Sequence, residues 1–165
     1  MAEVLQKIAL GGGCHWCIEA VFQMLKGVTE VKQGYVASTG ENCNFSEAVI
    51  VHFNPKIIPL HRLIEIHLRT HNSTSNHSFR KKYRSAVYYF NQKQKEEGKI
   101  ALRFLQNYFE EKIITKAIPF REFKASREAI QDYYQKDPEK PFCKNYIDPK
   151  LKLILREFSE NMKKH

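Results

Sequence analysis

Three consecutive glycines, Gly11–Gly13, separate an apolar stretch at Lys7–Leu10 from a run in which Ile18, Val21, Phe22 and Leu25 recur at helical spacing. No other feature constrains the chain as strongly. A short strand must end in a tight turn and give way at once to a helix, with Cys14 at the junction. Gly27 ends that helix, and Val28–Val36 reads as a second strand. The loop "STGENCN" leads to Glu47–Phe53, whose alternation places Glu47, Val49, Val51 and Phe53 on one face. A helix over 59–71 carries Leu60, Leu63, Ile64, His67, Leu68 and His71 along one stripe, and Tyr83–Phe90 is strand-like. A long helix over 92–111 presents Ile100, Phe104, Leu105 and Tyr108 inward, Ile113–Pro119 reads as a strand, and a short helix falls near 126–135. The last helix starts at Asp148-Pro149 with Leu151, Ile154, Leu155 and Phe158 inward. This order predicts an α+β fold, a two-layer sandwich in which helices pack on a mixed sheet.

The length of 165 residues suits one domain spanning 1–165. Its net charge of +9 would suit an acidic partner, but the lysines and arginines are scattered and the densest run is only "RKKYR" at 80–84. A solvated basic surface is therefore expected, with no nucleic-acid site. No apolar run reaches the roughly 18–20 residues of a membrane span, and "MAEVLQKIALGGG" lacks the pattern of a secretory signal. The chain reads as cytoplasmic, where thiols stay reduced. Its four cysteines (Cys14, Cys17, Cys43, Cys143) are too few for a disulfide scaffold and point to metal binding or redox chemistry.

Cys14 falls where unpaired N–H groups and the positive end of a helix dipole favour thiolate over thiol. The glycines leave open space above the sulfur. These features describe a reactive thiol, although an inert cysteine in a turn shares the pattern. Cys17 completes a C-x-x-C, common to redox sites and to half of many zinc sites. Zinc needs two more ligands, and no second pair lies at finger-like spacing. His67 and His71 lie four apart on an otherwise apolar stripe, which suits packed, hydrogen-bonded side chains better than ligands.

"GGGCHWCIEAVFQMLKGV" resembles the opening motif of the type A peptide methionine sulfoxide reductases, usually G-C-F-W-x-x-E. The resemblance continues through "GY" at 34–35, "EAVIVHFNP" at 47–55, the helix ending in His71, "YRSAVYYF" at 83–90 and "QDYYQKDPEKPFC" at 131–143. It covers nearly the whole chain in order and implies a ferredoxin-like core. The activity it implies is reduction of the S epimer of methionine sulfoxide, free or in oxidised proteins, without metal or organic cofactor. By match, Cys14 attacks the sulfoxide sulfur, Glu47 is a general acid whose carboxyl is held protonated in a secluded site, and Tyr83 hydrogen-bonds the oxygen. Trp16, with His15 beside it, forms the wall for the S-methyl group. The resulting sulfenic acid is converted to a disulfide by a second thiol and recycled by thioredoxin or a similar dithiol. Cys143, in a C-terminal extension (about 136–165), is the first candidate for that thiol. Cys17 is the second, and Cys43 could also reach. Most relatives are monomers, which is expected here too.

The pattern breaks in places. His15 replaces the usual phenylalanine, and the loop after Gly34-Tyr35 is about nine residues shorter than in typical relatives. The family's aspartate in G-N-D-x-G-T-Q-Y is missing, with His77 or Ser78 near its place, and Arg127 and Ile130 stand for a Glu and a His. Two further expectations follow from these departures: a thiol enzyme of the same fold acting on another oxidised sulfur substrate, or a non-enzymatic thiol redox sensor.

Overall fold

Apolar residues alternate with small ones along the central strands, so both sheet faces are covered. In a computed structural model, which describes residues 5–76, 80 and 82–163, β1 (Gln6–Gly11) sits mid-sheet between β3 (Ser46–Phe53) and β4 (Ala86–Tyr89). The full order is β5-β4-β1-β3-β2-β6, with β2 at Val28–Ala37, β5 at Lys116–Pro119 and β6 at Glu122–Ala125. All neighbours are antiparallel except β4 and β5, giving the mixed sheet expected. Ile8, Leu10, Val49, Val51, Phe53 and Val87 face one way, into a core shared with α1 (His15–Gln23) and α2 (Leu60–Thr70). Phe22, fully buried there, contributes about 1.5–3 kcal/mol by leaving water. Ala9, Ala48, Ile50, Ala86 and Tyr88 face the other way, beneath Phe90, Ile118, Phe120 and Phe123.

Several expected elements differ in detail. α3 spans Gln92–Leu105 and ends in a 3-10 turn at Gln106–Tyr108. Its inward side carries Gln94, Gly98, Ala101 and Leu105, while Ile100, Phe104 and Tyr108 are exposed. This face meets β5 at Gly98, where a Cβ would come into ordinary contact with that of Ala117 at 3.7 Å. β4 covers only Ala86–Tyr89 of the expected 83–90. The helix near 126–135 is broken into a 3-10 turn at Glu128–Ile130 and the single turn α4 (Tyr133–Lys136), separated by Asp132 at φ 55° and preceded by β6, which the sequence did not announce. A wide helical turn, Cys143–Ile147, leads into α5 (Asp148–Glu157), where Ile154 is inward but Leu155 is exposed. Among the described residues, no helix is long and apolar enough to cross a membrane.

Candidate active site

Cys14 is the N-cap of α1, extended at φ −60° and ψ 127°, and its carbonyl accepts from the N–H groups of Cys17 (3.1 Å) and Ile18 (3.2 Å). The turn that delivers it is braced from beneath. His67 hydrogen-bonds the Gly11 carbonyl through Nε2 at 2.7 Å, and its ring stacks on that of His71 at 4.1 Å. His71 is tied at both nitrogens, to the His67 carbonyl (2.5 Å) and to Ser85 Oγ (2.8 Å), which in turn pairs with Thr115. Arg80 caps the turn from outside, donating to the carbonyls of Gly12, Tyr83, Ser75 and Asn72. His67 and His71 are thus engaged by the protein itself, and among the described residues no group of three potential ligands could hold a metal ion.

The Cys14 thiol is pulled below its ordinary value chiefly by a hydrogen bond from Cys17. The first-turn N–H groups of Trp16 and Cys17 act in the same direction, against burial and the charge of Glu47. Cys17 is pushed the other way, because its S–H donates to the Cys14 sulfur and because it is buried. The C-x-x-C therefore divides its labour: one sulfur tends to thiolate, and its neighbour remains a thiol.

Across from Cys14, β2 and β3 supply the second wall. Glu47, paired with Tyr35 in the sheet register, is only 7% exposed. Its Oε1 accepts from the His15 backbone N–H at 3.2 Å and lies 3.4 Å from His15 Nε2, while Oε2 is 3.7 Å from Lys82 Nζ. The His15 ring, 3% exposed, meets Tyr35 edge-on at 5.2 Å and places Nδ1 2.8 Å from the Gly34 carbonyl. Burial lowers the imidazole's affinity for a second proton. Lys82 also lies over the Tyr83 ring at 5.1 Å, so Glu47, Lys82 and Tyr83 share one rim. His77 and Ser78 lie outside the described residues.

Trp16 forms the third side. It stacks on Tyr133 at 4.1 Å with planes 5° apart, and Phe142 meets it edge-on at 5.3 Å. The anchor for Tyr133 is Glu19, almost fully buried, which accepts from Gln33 and from the backbone N–H groups of Asp132 and Tyr133. Behind this wall Cys143, Cys17, Ala20 and Ile147 form an apolar cluster against which Cys14 packs. Cys43 is exposed and outside that cluster. All four cysteines are free.

Sequence reasoning alone left Tyr133, Phe142, Arg80 and Lys82 without a place in the site. Glu19 carried a signal, a carboxylate on an otherwise apolar helix face. The others arrive from loops whose approach no local pattern announces.

A thiolate-prone cysteine facing a secluded carboxyl, on a mixed α+β sheet with a second thiol behind it, defines a cysteine-dependent reductase. Residues 6–163 match the family model described as "Peptide methionine sulfoxide reductase", and the chain belongs to that family. The MsrA protein of Sulfolobus acidocaldarius is 31% identical over 94% of this chain and 97% of its own length. Among solved structures, Mxr1 of Saccharomyces cerevisiae in reduced form matches with a TM-score of 0.74 at 24% identity, covering 84% of this chain and 89% of that one. Mxr1 in complex with Trx2 matches with a TM-score of 0.62 at 27% identity, covering 78% and 84%. The activity is that of a peptide-methionine (S)-S-oxide reductase, which sets aside the non-enzymatic sensor.

Proposed function

We propose that this chain reduces methionine (S)-sulfoxide with Cys14 as nucleophile and Glu47 as proton donor. The observation that carries the reading is the placement of a Cys17-supported sulfur and a secluded carboxyl at one helix mouth, joined through the His15 N–H. The Cys14 thiolate attacks the sulfoxide sulfur while Glu47 protonates the oxygen. The S–O bond then breaks and the hydroxyl passes to Cys14. Thiolate, proton and sulfoxide become sulfenic acid and methionine, with Cys14 oxidised by two electrons. Tyr83, on the same rim as Glu47, hydrogen-bonds the oxygen. Trp16, held flat by Tyr133, is the wall against which the S-methyl group lies, with His15 beneath it.

Cys143 then attacks the Cys14 sulfur, expelling water and closing a disulfide. It shares the apolar cluster behind Trp16 with Cys14. Cys17 is the second reading, favoured by its hydrogen bond to Cys14. A dithiol of the thioredoxin class restores both thiols by exchange, as the yeast relative's complex with Trx2 suggests. The whole chain acts as one catalytic domain, with the segment about 136–165 carrying the resolving thiol. We place the monomer in the cytoplasm, because four free thiols suit a reducing compartment.

Disulfide mapping after one equivalent of sulfoxide tests the sequence of thiols. Wild type is expected to yield a Cys14–Cys143 peptide pair, and Cys143→Ser a trappable Cys14 sulfenic acid. A Cys14–Cys17 pair in wild type would overturn the choice of Cys143.

A further inference from the structure

Ala48, Gly11, Ala86 and Lys116 form a row across four strands, from β3 through β1 and β4 to β5. The strand directions send the chain out at one end of the sheet beyond that row. Cys14 lies past Gly11, Glu47 past Ala48, Tyr83 and Arg84 past Ala86, and Ile114 past Lys116. On the β4–β5 side this end opens into a cleft of about 630 Å³ whose walls include Arg80, Arg84, Lys112, Lys116, Asn44 and Glu41. The cleft begins at the turn that carries the nucleophile. Arg80 donates to the Gly12 carbonyl at 2.8 Å, and a Cβ on Gly11 would meet the Arg84 carbonyl at 2.9 Å. With strands about 4.8 Å apart, Lys116 lies about 10 Å from the line of β1, the span of about three extended residues.

The walls carry four cations against one carboxylate, and none of these charges is paired. Elsewhere arginines and lysines find partners: Arg62 meets Glu65 and Glu160, Arg69 meets Glu157, and Lys144 meets Glu139. Among the described residues, Arg80, Arg84, Lys112 and Lys116 form no ion pair, and neither does Glu41. Arg80 and Arg84 donate to backbone carbonyls, and Arg84 also to the Tyr88 hydroxyl, which fixes the guanidinium groups and leaves their charge uncompensated. A concave wall of one sign concentrates its potential in the space it encloses. We infer that this cleft receives acidic residues of an oxidised protein, about two to four positions from the methionine sulfoxide held at Cys14, and so selects substrates by charge. The inference rests on the reading of Cys14 as the nucleophile. Arg80 and Arg84 supply fixed charges, and the exposed Lys112 and Lys116 supply movable ones. A peptide fits better than nucleic acid, because among the described residues the walls include no aromatic ring on which a base could stack.

Calorimetric titration of the Cys14→Ser variant with three peptides tests this. Each carries methionine (S)-sulfoxide flanked on both sides by a glycine and then by paired aspartates, asparagines or lysines. At low salt the aspartate peptide should bind about tenfold more tightly than the asparagine peptide. The lysine peptide should bind most weakly, and the differences should fade as salt screens them. Adding Lys112→Glu and Lys116→Glu together should abolish the aspartate preference, while Lys99→Glu, at an exposed position on α3, should keep it. Equal affinities for the aspartate and asparagine peptides, or a preference that survives the paired lysine changes, overturn the inference. A single-stranded oligonucleotide that binds through Lys112 and Lys116 while the aspartate peptide does not would also overturn it. Turnover of the same peptides by wild type separates this inference from the reading beneath it. The kcat/KM ratio of aspartate to asparagine peptide should follow the affinities. Charge-dependent binding without turnover would refute the role of Cys14 and leave the acidic-peptide cleft standing, whereas turnover without charge preference would refute the cleft alone.

Discussion

Gly12→Ala should unfold the turn that presents Cys14, and the structure sets the size of the effect. Gly12 sits at φ +152°, a conformation that strains any L side chain by about 1–3 kcal/mol. A Cβ there would lie 2.5 Å from Cδ2 and Nε2 of His71. That ring has nowhere to go: it is hydrogen-bonded at 2.5 and 2.8 Å and stacked on His67 at 4.1 Å. Displacing it loses two buried hydrogen bonds at about 0.5–1.5 kcal/mol each. Together these terms give a destabilisation of about 2–6 kcal/mol. Gly13→Ala is the internal control, since its nearest neighbour would be His71 Cβ at 4.0 Å, and it should stay within about 0.5 kcal/mol of wild type. Urea unfolding followed by fluorescence of the single tryptophan reads both. With a slope of about 2 kcal/mol/M, Gly12→Ala should lower the midpoint by about 1–3 M. A Gly12→Ala midpoint matching that of Gly13→Ala would refute the claim that the His67–His71 stack braces the nucleophile's turn.

Glu47→Gln should lower single-turnover reduction by about 10²–10⁴-fold, while iodoacetamide still modifies Cys14; a smaller loss would remove the acid role. Cys17→Ala takes away the strongest support for the Cys14 thiolate, so the pH profile of Cys14 alkylation should move to higher pH. No movement would mean that the first-turn amides suffice. Stability should fall as the solution is acidified. His67 is held neutral by complete burial, with its pKa lowered from 6.5 to about 4, so the unfolded chain binds the extra proton between those values. The contribution of His67 is complete above about pH 6.5 and drains away towards pH 4, amounting to about 3 kcal/mol. Unfolding midpoints that stay flat between pH 7 and 4 would contradict it.

The elements nearest the nucleophile were the most legible, because each has a strong local cause. The tri-glycine turn, the helix-mouth cysteine and the alternation of Glu47–Phe53 appear in the structure as they read in the sequence. α3 was legible as a helix but not in its orientation. Its buried side mixes Gln94 and Leu105 with Gly98 and Ala101, while the bulky Ile100, Phe104 and Tyr108 face out, so no apolar stripe announced which way it packs. β6 had no signature, since an edge strand reading Glu-Phe-Lys-Ala buries too little to show a pattern. Within the site, the stack of Tyr133 on Trp16 and the reach of Arg80 to the Gly12 carbonyl join residues 117 and 68 positions apart. Contacts of that kind are set by tertiary geometry. Arg80 in particular lies in a run that reads as surface charge, yet it is anchored to four carbonyls.

Reduction of N-acetyl-methionine sulfoxide, with S and R epimers separated and dithiothreitol as reductant, tests the central claim most directly when wild type and Cys14→Ser are assayed side by side. The account predicts turnover of the S epimer alone, abolished in the variant. No turnover of either epimer by wild type, with Cys14 still rapidly alkylated at neutral pH, would contradict it.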